Sequence, residues 1–434
     1  MRFVPLMFIL LIFAGCSAQS GDSLLSPPNL PAEYVQLEKQ LDSIRAQGAQ
    51  YIVAETGTER QSVQLVDLDS DGYNEAVAFF RMDDGMLRAY LFEYDQGGYY
   101  QVGCVEGTGA RQLYSAEFIE YVSGGWIAVA LSWRYDETEN LGLTVFSYGG
   151  EHMDTILQTQ YKSILYADIH GSGNLSIFTA AVNDVTGTHR VRRFYFDPSE
   201  ECYKQSMEVS LCPEVRSIVS MQYCNGMLYV DSAAHGGGYV TDIIKNTYNI
   251  LMDDAFGLDG STYRQAAVFC TDIDGDGELE VPTVEKSGSG RIGWYRYSGS
   301  VYGSVYDIQK VHAADTYFSI ADGWYIFWPD KWQDSVSSQR TVNNGVAMTT
   351  FYVPVTAGTM EEVRNALLTV YVFSGDQSAD TLQSYSGVKV METVGTTIYA
   401  YKIMQNDFPE YSMSDWDMTR LFNIIEASST KEGY

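Results

Sequence analysis

Short runs of alternating apolar and polar residues recur along the chain on a rhythm of about fifty residues, the period-two pattern of half-buried strands. Leu87-Arg-Ala-Tyr-Leu-Phe-Glu-Tyr94 leads through Gly97-Gly98 into Tyr99-Tyr-Gln-Val102. Leu143-Thr-Val-Phe-Ser-Tyr148 turns at Gly149-Gly150, and Arg190-Val-Arg-Arg-Phe-Tyr-Phe196 turns at Asp197-Pro198. Ile292-Gly-Trp-Tyr-Arg-Tyr297 turns at Ser298-Gly299 into Val301-Tyr-Gly-Ser-Val305. Each unit is an aromatic strand, a turn with Gly or Pro and a return strand, which predicts a β-hairpin. The turns stand at 97, 149, 198 and 299, so one is missing from the last gap, and His235-Gly-Gly-Gly238 is the candidate to fill it. Ile243–Leu251 breaks the pattern and reads as a short helical insertion.

Two stretches between the hairpins share the pattern D-x-D-x-D-G-x-x-E: Asp67-Leu-Asp69-Ser-Asp71-Gly72-Tyr73-Asn74-Glu75 and Asp272-Ile-Asp274-Gly-Asp276-Gly277-Glu278-Leu279-Glu280. Calcium is a hard cation that takes about six to eight oxygen ligands, and a glycine lets the chain bend around it. The predicted ligands are the carboxylates of Asp67, Asp69, Asp71 and Glu75 in one loop and of Asp272, Asp274, Asp276 and Glu280 in the other. The backbone carbonyls of Tyr73 and Glu278, at the seventh position, add one oxygen each. An EF-hand is excluded because its twelfth position must be a carboxylate, and here it is Ala78 or Thr283. The flanks Ser62–Val66, Ala76–Phe80, Ala266–Cys270 and Val281–Val284 also suit strands. A solvated acidic turn is the simpler alternative. Five oxygens on nine residues, occurring twice, argue against it.

A third copy, Asp168-Ile-His170-Gly-Ser172-Gly173-Asn-Leu-Ser176, keeps the first Asp and the glycine but lacks the other carboxylates. It is expected to keep the turn without the metal. The copies begin at 67, 168 and 272, a spacing of twice a propeller blade of about 40–50 residues. On these residues the chain resembles the FG-GAP and VCBS repeats of β-propeller proteins. The resemblance implies that the loop joins the first two strands of a blade. It also implies a mainly β fold: a β-propeller-like array of about five four-stranded blades with calcium loops over about residues 53–311. A small C-terminal α+β domain, of no recognised family, follows.

The expected partition is 1–15 signal peptide, 16–30 flexible tether, 31–48 amphipathic helix, 49–314 propeller and 315–434 α+β domain. Arg2, the apolar run Phe3–Phe13 and Ala14-Gly15-Cys16 read as a signal peptide ending in a bacterial lipobox, with Phe13 where Leu is commoner. This predicts a lipid anchor on Cys16 and a place at the cell membrane facing outward; an ordinary cleaved signal and an uncleaved anchor are the alternatives. Tyr34, Leu37, Leu41 and Ile44 have helical spacing. Beyond Thr316, strands are expected at Val346–Val353, Leu367–Phe373, Val388–Val394 and Thr397–Ile403, with helices at Ala379–Tyr385 and Ser414–Ala427. The second helix has Ser414 as N-cap, Asp417 three residues on, and Trp416, Leu421, Phe422 and Ile425 for a buried face. Trp324, Trp328 and Trp332 suit a hydrophobic core better than an aromatic platform for a ligand.

Charge narrows the partners. With 27 basic and 56 acidic residues the formal net charge is −29, which repels phosphate backbones and argues against nucleic acid. Cys104, Cys202, Cys212, Cys224 and Cys270 are odd in number and read mostly as buried thiols, with Cys202–Cys212 the one conceivable bridge. His235-Gly-Gly-Gly has no G-x-S-x-G elbow to accompany it, so an esterase site is disfavoured. Ser287-Gly-Ser-Gly-Arg291 lacks the Lys-Ser/Thr of a phosphate loop. With no catalytic constellation in view, the sequence predicts a non-catalytic, calcium-stabilised surface lipoprotein that binds a protein or glycan. The alternatives are a secreted polysaccharide-active enzyme with a site on the propeller face and an accessory subunit of a membrane sensor or transporter.

Overall fold

The computed structural model describes residues 32–425 apart from 96, 137, 151, 184, 251–261, 285–289, 303–304 and 355–364. The signal peptide, the tether and Cys16 lie outside the described residues, as does most of Ser287–Arg291. The fold is mainly β, a propeller-like array of antiparallel sheets built mostly from strands consecutive in the chain. Two compact units divide it: Met1–Val53 with Gln61–Thr108 and Gly149–Met153, and Ala54–Arg60 with Gly109–Tyr148 and Asp154–Tyr434.

The smaller unit holds helix Ala32–Arg45 and the first blade, strands Val63–Val66, Glu75–Arg81, Leu87–Asp95 and Gly98–Gly107, with Gln50–Tyr51 added beside the second. The blade's second strand is buried from Glu75 to Phe80, which is why its sequence is a continuous apolar run instead of an alternation. Leu37, Leu41 and Ile44 of the helix pack on Ala76, Ala78 and Phe80 of that strand. Helical spacing puts those three residues on one face, so a stripe of the helix covers one face of the sheet.

In the larger unit, three more blades are four-stranded sheets. They comprise Gln112–Val122, Trp126–Arg134, Leu141–Tyr148 and Met153–Tyr161; then Ser163–Ala167, Ser176–Val182, His189–Asp197 and Cys202–Ser210; then Val215–Cys224, Met227–Ala234, Tyr239–Lys245 and Tyr248–Asn249. The fifth sheet contains Val281–Val284, Arg291–Tyr302, Val305–Ser319, Trp324–Phe327 and Phe422–Ile424, and a single bridge from Thr271 to Glu280 marks its innermost edge. Apolar side chains fill the spaces between successive sheets. Tyr121, Val145 and Ile156 of the second meet Ile177, Phe194 and Tyr203 of the third. Phe178, Val191 and Val209 of the third meet Val215, Leu228 and Val230 of the fourth. Burial of these faces at roughly 25 cal/mol per Å² is what holds blade to blade within the unit.

The remaining sheet runs Ser337–Asn343, Val346–Tyr352, Ala366–Phe373, Thr397–Ile403, Lys389–Val394 in spatial order. Trp324, Trp328 and Trp332, with exposures of 0%, 8% and 0%, join its Phe351 in one core, as the core reading requires. Helix Ser378–Gln383 forms near its expected place. The other helix, Asp415–Leu421, has the full capping box between Ser414 and Asp417 but is shorter than expected. Its continuation, Phe422–Ile424, extends as a strand and pairs with Trp324–Phe327. Trp416, expected in the buried face, is 66% exposed, with the Arg420 guanidinium 4.7 Å above its ring.

Several local expectations are corrected. His235–Gly238 turns between the second and third strands of the fourth blade, not between the third and fourth. The missing turn is Asn246-Thr247, where Tyr239–Lys245 hairpins into Tyr248–Asn249, so Ile243 and its neighbours are strand and not helix. Asn246 supplies the left-handed residue (φ 54°) that this tight turn needs. The fifth hairpin runs past Ser298-Gly299 to Tyr302 and Val305. The five cysteines among the described residues are free thiols, Cys202 and Cys212 included, and of these only Cys270 is buried.

Candidate metal centre

The three acidic-type loops each lead into a strand of a blade: in blades one and three they join the first strand to the second, and in blade five the loop runs from the Thr271–Glu280 bridge into Val281–Val284, the expected strand Ala266–Cys270 not forming. Blades two and four have tight turns there, Ser123-Gly124-Gly125 and Asn225-Gly226. That alternation explains why the loops recur at two-blade spacing. All three share one turn. The amide of the sixth residue donates to the first carboxylate: Gly72 to Asp67 at 3.1 Å, Gly173 to Asp168 at 2.7 Å and Gly277 to Asp272 at 2.9 Å. These glycines have φ of 95°, 81° and 89°, a region that costs other residues Cβ strain.

In the first and fifth blades the carboxylates converge. One oxygen or another from each of Asp67, Asp69 and Asp71 lies within 4.8 Å of the others, and Asp272, Asp274 and Asp276 repeat the arrangement. Tyr73 and Glu278 occupy equivalent positions, their amides donating to Asp71 at 2.8 Å and Asp276 at 2.9 Å. The ninth residue, at the head of the second strand, is buried. Glu75 accepts from the Leu68 amide at 2.7 Å through Oε2, and Glu280 accepts from Ile273 at 3.0 Å in the same way. Both side chains are fully buried, and in each the second oxygen, Oε1, has no hydrogen-bond partner; Asp67 Oδ1 is in the same state. Burial, together with the carboxylates of Glu93, Asp69 and Asp71, pushes Glu75 up to about 8. Burial and the three aspartates push Glu280 up to about 7.

A buried carboxylate oxygen without a donor costs on the order of 1–3 kcal/mol or more, so natural proteins rarely leave one. An oxygen-rich cluster of fixed negative charge fits a hard divalent cation and offers nothing to soft metals. The third blade provides the contrast. Asp168 is satisfied by the amides of His170, Ser172 and Gly173, which hold its carboxyl below the ordinary range, and its ninth residue is Ser176. The turn persists there without surplus charge.

Sequence reasoning missed a second polar constellation. Arg264 and Asp231 are 1% exposed and joined at 2.8 Å inside the fourth blade's edge. Asp231 also accepts from Thr241 Oγ1 at 2.5 Å and the Cys270 amide at 2.9 Å, while Arg264 donates to Thr241 Oγ1, Thr262 O and Val268 O. The His235–Gly238 turn closes against it: a Cβ on Gly238 would lie 2.6 Å from the Arg264 carbonyl. Packing against Arg264 accounts for Gly238, and a left-handed backbone (φ 84° and 96°) for Gly236 and Gly237.

No family model matches the chain, and no curated protein is similar to it. Solved structures are. The Dos1 propeller is 9% identical at a TM-score of 0.29, covering 64% of this chain and 78% of its own. A GH43 β-xylosidase/α-arabinofuranosidase from a compost microbial metagenome, with xylotriose, is 11% identical at 0.23, covering 61% and 91%. An α-L-arabinanase of Penicillium chrysogenum, with arabinobiose, is 9% identical at 0.23, covering 67% and 93%. Carbohydrate-active enzymes thus stand among the folds like this one. Two of these similar structures are carbohydrate-active enzymes, which stands against the expectation of a non-catalytic protein. At these identities and scores the likeness describes the fold alone, and no site residue of those enzymes is transferred to this chain.

Proposed function

We propose that the chain is a calcium-braced β-propeller of the FG-GAP/VCBS type, with the acidic loops as structural staples. The observation that carries this reading is Glu75: fully buried, with one oxygen held by Leu68 and the other free beside Asp69 and Asp71. Calcium at Asp67, Asp69, Asp71, Glu75 and the Tyr73 carbonyl, and at Asp272, Asp274, Asp276, Glu280 and the Glu278 carbonyl, would neutralise the cluster and tie the first strand to the second. Extracellular modules bind calcium at about 10⁻⁴–10⁻³ M, which suits an exported protein. Export with acylation of Cys16 is part of the same reading, supported by Arg2, the apolar run Phe3–Phe13 and Gly15-Cys16.

Amide hydrogen exchange on the full chain tests the bracing. Calcium against chelator is expected to slow exchange about tenfold or more at 67–75, with 168–176 unchanged as an internal control. Equal slowing in the third-blade loop, or none in the first, sinks the proposal. For activity, the polysaccharide-active alternative takes the place of the non-catalytic reading. Its check is release of reducing sugar from a panel of plant and bacterial polysaccharides, and a panel without turnover counts against it.

A further inference from the structure

The two carboxylate-rich loops differ in what faces the ninth-position glutamate from the neighbouring strand. In the first blade, Ala76 pairs with Phe92, so the next rung outward sets Glu75 opposite Glu93, which is also buried and raises the Glu75 pKa. In the fifth blade, Val281 pairs with Tyr295, and the next rung sets Glu280 opposite Arg296. Arg296 reaches three of the loop's carboxylates: its Nη1 contacts Asp276 Oδ2 and lies 3.5 Å from Glu278 Oε2, and its Nε lies 3.7 Å from Glu280 Oε1. A cleft of about 280 Å³ beside this loop is lined by Lys245 as well as Arg296 and Glu278. The third blade, with one loop carboxylate, sets neutral Ser176 opposite neutral Tyr195. The two carboxylate-rich loops therefore differ in the charge on that rung, negative in the first blade and positive in the fifth.

We propose that Arg296 is a built-in counter-cation of the Asp272 loop, so that a divalent cation binds chiefly at the Asp67 loop, where Glu93 adds negative charge in its place. The proposal rests on the calcium reading above and assigns the two loops different strengths within it. An arginine cannot be deprotonated in a protein, so its charge opposes a second cation at every accessible pH. In the Asp67 loop the fully buried Glu75 Oε1, without a hydrogen-bond partner, faces the carboxylates of Asp69 and Asp71, and the register places Glu93 where the fifth blade has Arg296. The fifth blade is then braced by its own side chain and the first by metal.

Calcium titration of the full chain, by calorimetry or equilibrium dialysis with Ca²⁺ as the probe, tests this. The expected result is one tight site and a second at least about tenfold weaker. Asp69→Asn should abolish the tight site and Asp274→Asn should leave it. Arg296→Gln should tighten the weak site about tenfold, whereas Arg296→Lys, which keeps the charge, should leave it weak. Should Arg296→Gln fail to fold, the pair of aspartate variants still decides which loop is tight. Two equal sites, or loss of the tight site in Asp274→Asn, overturns the asymmetry and leaves the calcium reading standing. No binding at either loop overturns both.

Discussion

Asp231→Ala is expected to destabilise the chain by about 3–5 kcal/mol, the cost of stranding a buried charge. Arg264 is 1% exposed and would keep its hydrogen bonds to Thr241, Thr262 and Val268 while losing its carboxylate partner. The amide of Cys270 would lose its acceptor at the same time. That amide lies one residue before the Thr271–Glu280 bridge, so the damage falls where the fourth blade holds the fifth. Urea unfolding followed by tryptophan fluorescence should show the midpoint falling at unchanged slope. Removing both charges, with Asp231→Leu and Arg264→Met together, should cost less than Asp231→Ala alone, because no ion is left unpaired. A loss under about 1 kcal/mol for Asp231→Ala would mean that the pair is solvated and not a strut.

The rhythm of aromatic hairpins was legible because each third strand is flanked by a turn whose glycine or proline is dictated by backbone geometry. Its failures have a common cause. His235–Gly238 was assigned to the wrong corner because three glycines are a louder turn signal than Asn246-Thr247, yet Asn alone satisfies a left-handed position. Ile243-Ile was read as helical because the alternation lapses, but that strand is buried on both faces and has no polar side to show. Phe422–Ile424 continued the apolar pattern of the preceding helix, and only pairing with Trp324–Phe327, nearly a hundred residues away, makes it a strand. Four of the five described cysteines are half-buried instead of buried, Cys104, Cys202 and Cys224 on strands and Cys212 in a loop.

The acidic loops were legible as a pattern, and the structure brings the predicted aspartates together within each loop. What the pattern did not contain was the partner on the next strand. Glu93 and Arg296 are 18 and 16 residues from their glutamates in sequence, and only antiparallel register makes them neighbours. The Asp231–Arg264 pair was hidden for the same reason. Two charged residues 33 apart give no local signal, since Asp and Arg are ordinarily surface residues.

The second large effect is that of calcium on melting. A ligand that binds only the folded chain stabilises it by RT ln(1 + [L]/Kd), about 1–2 kcal/mol for the tight loop at about 5 mM calcium, at the affinities expected of extracellular loops, and less for the weaker one. The carboxylates gain as well, because Glu75 exchanges an unpartnered buried oxygen for a ligand bond. The most direct measurement is therefore the melting temperature of the full chain in detergent, with about 5 mM calcium and with chelator. The account predicts a rise of about 1–3 °C in the parent chain and none in the variant carrying Asp69→Ala and Asp274→Ala together. A parent chain that melts at the same temperature with and without calcium, or a double variant that keeps the full rise, would contradict it.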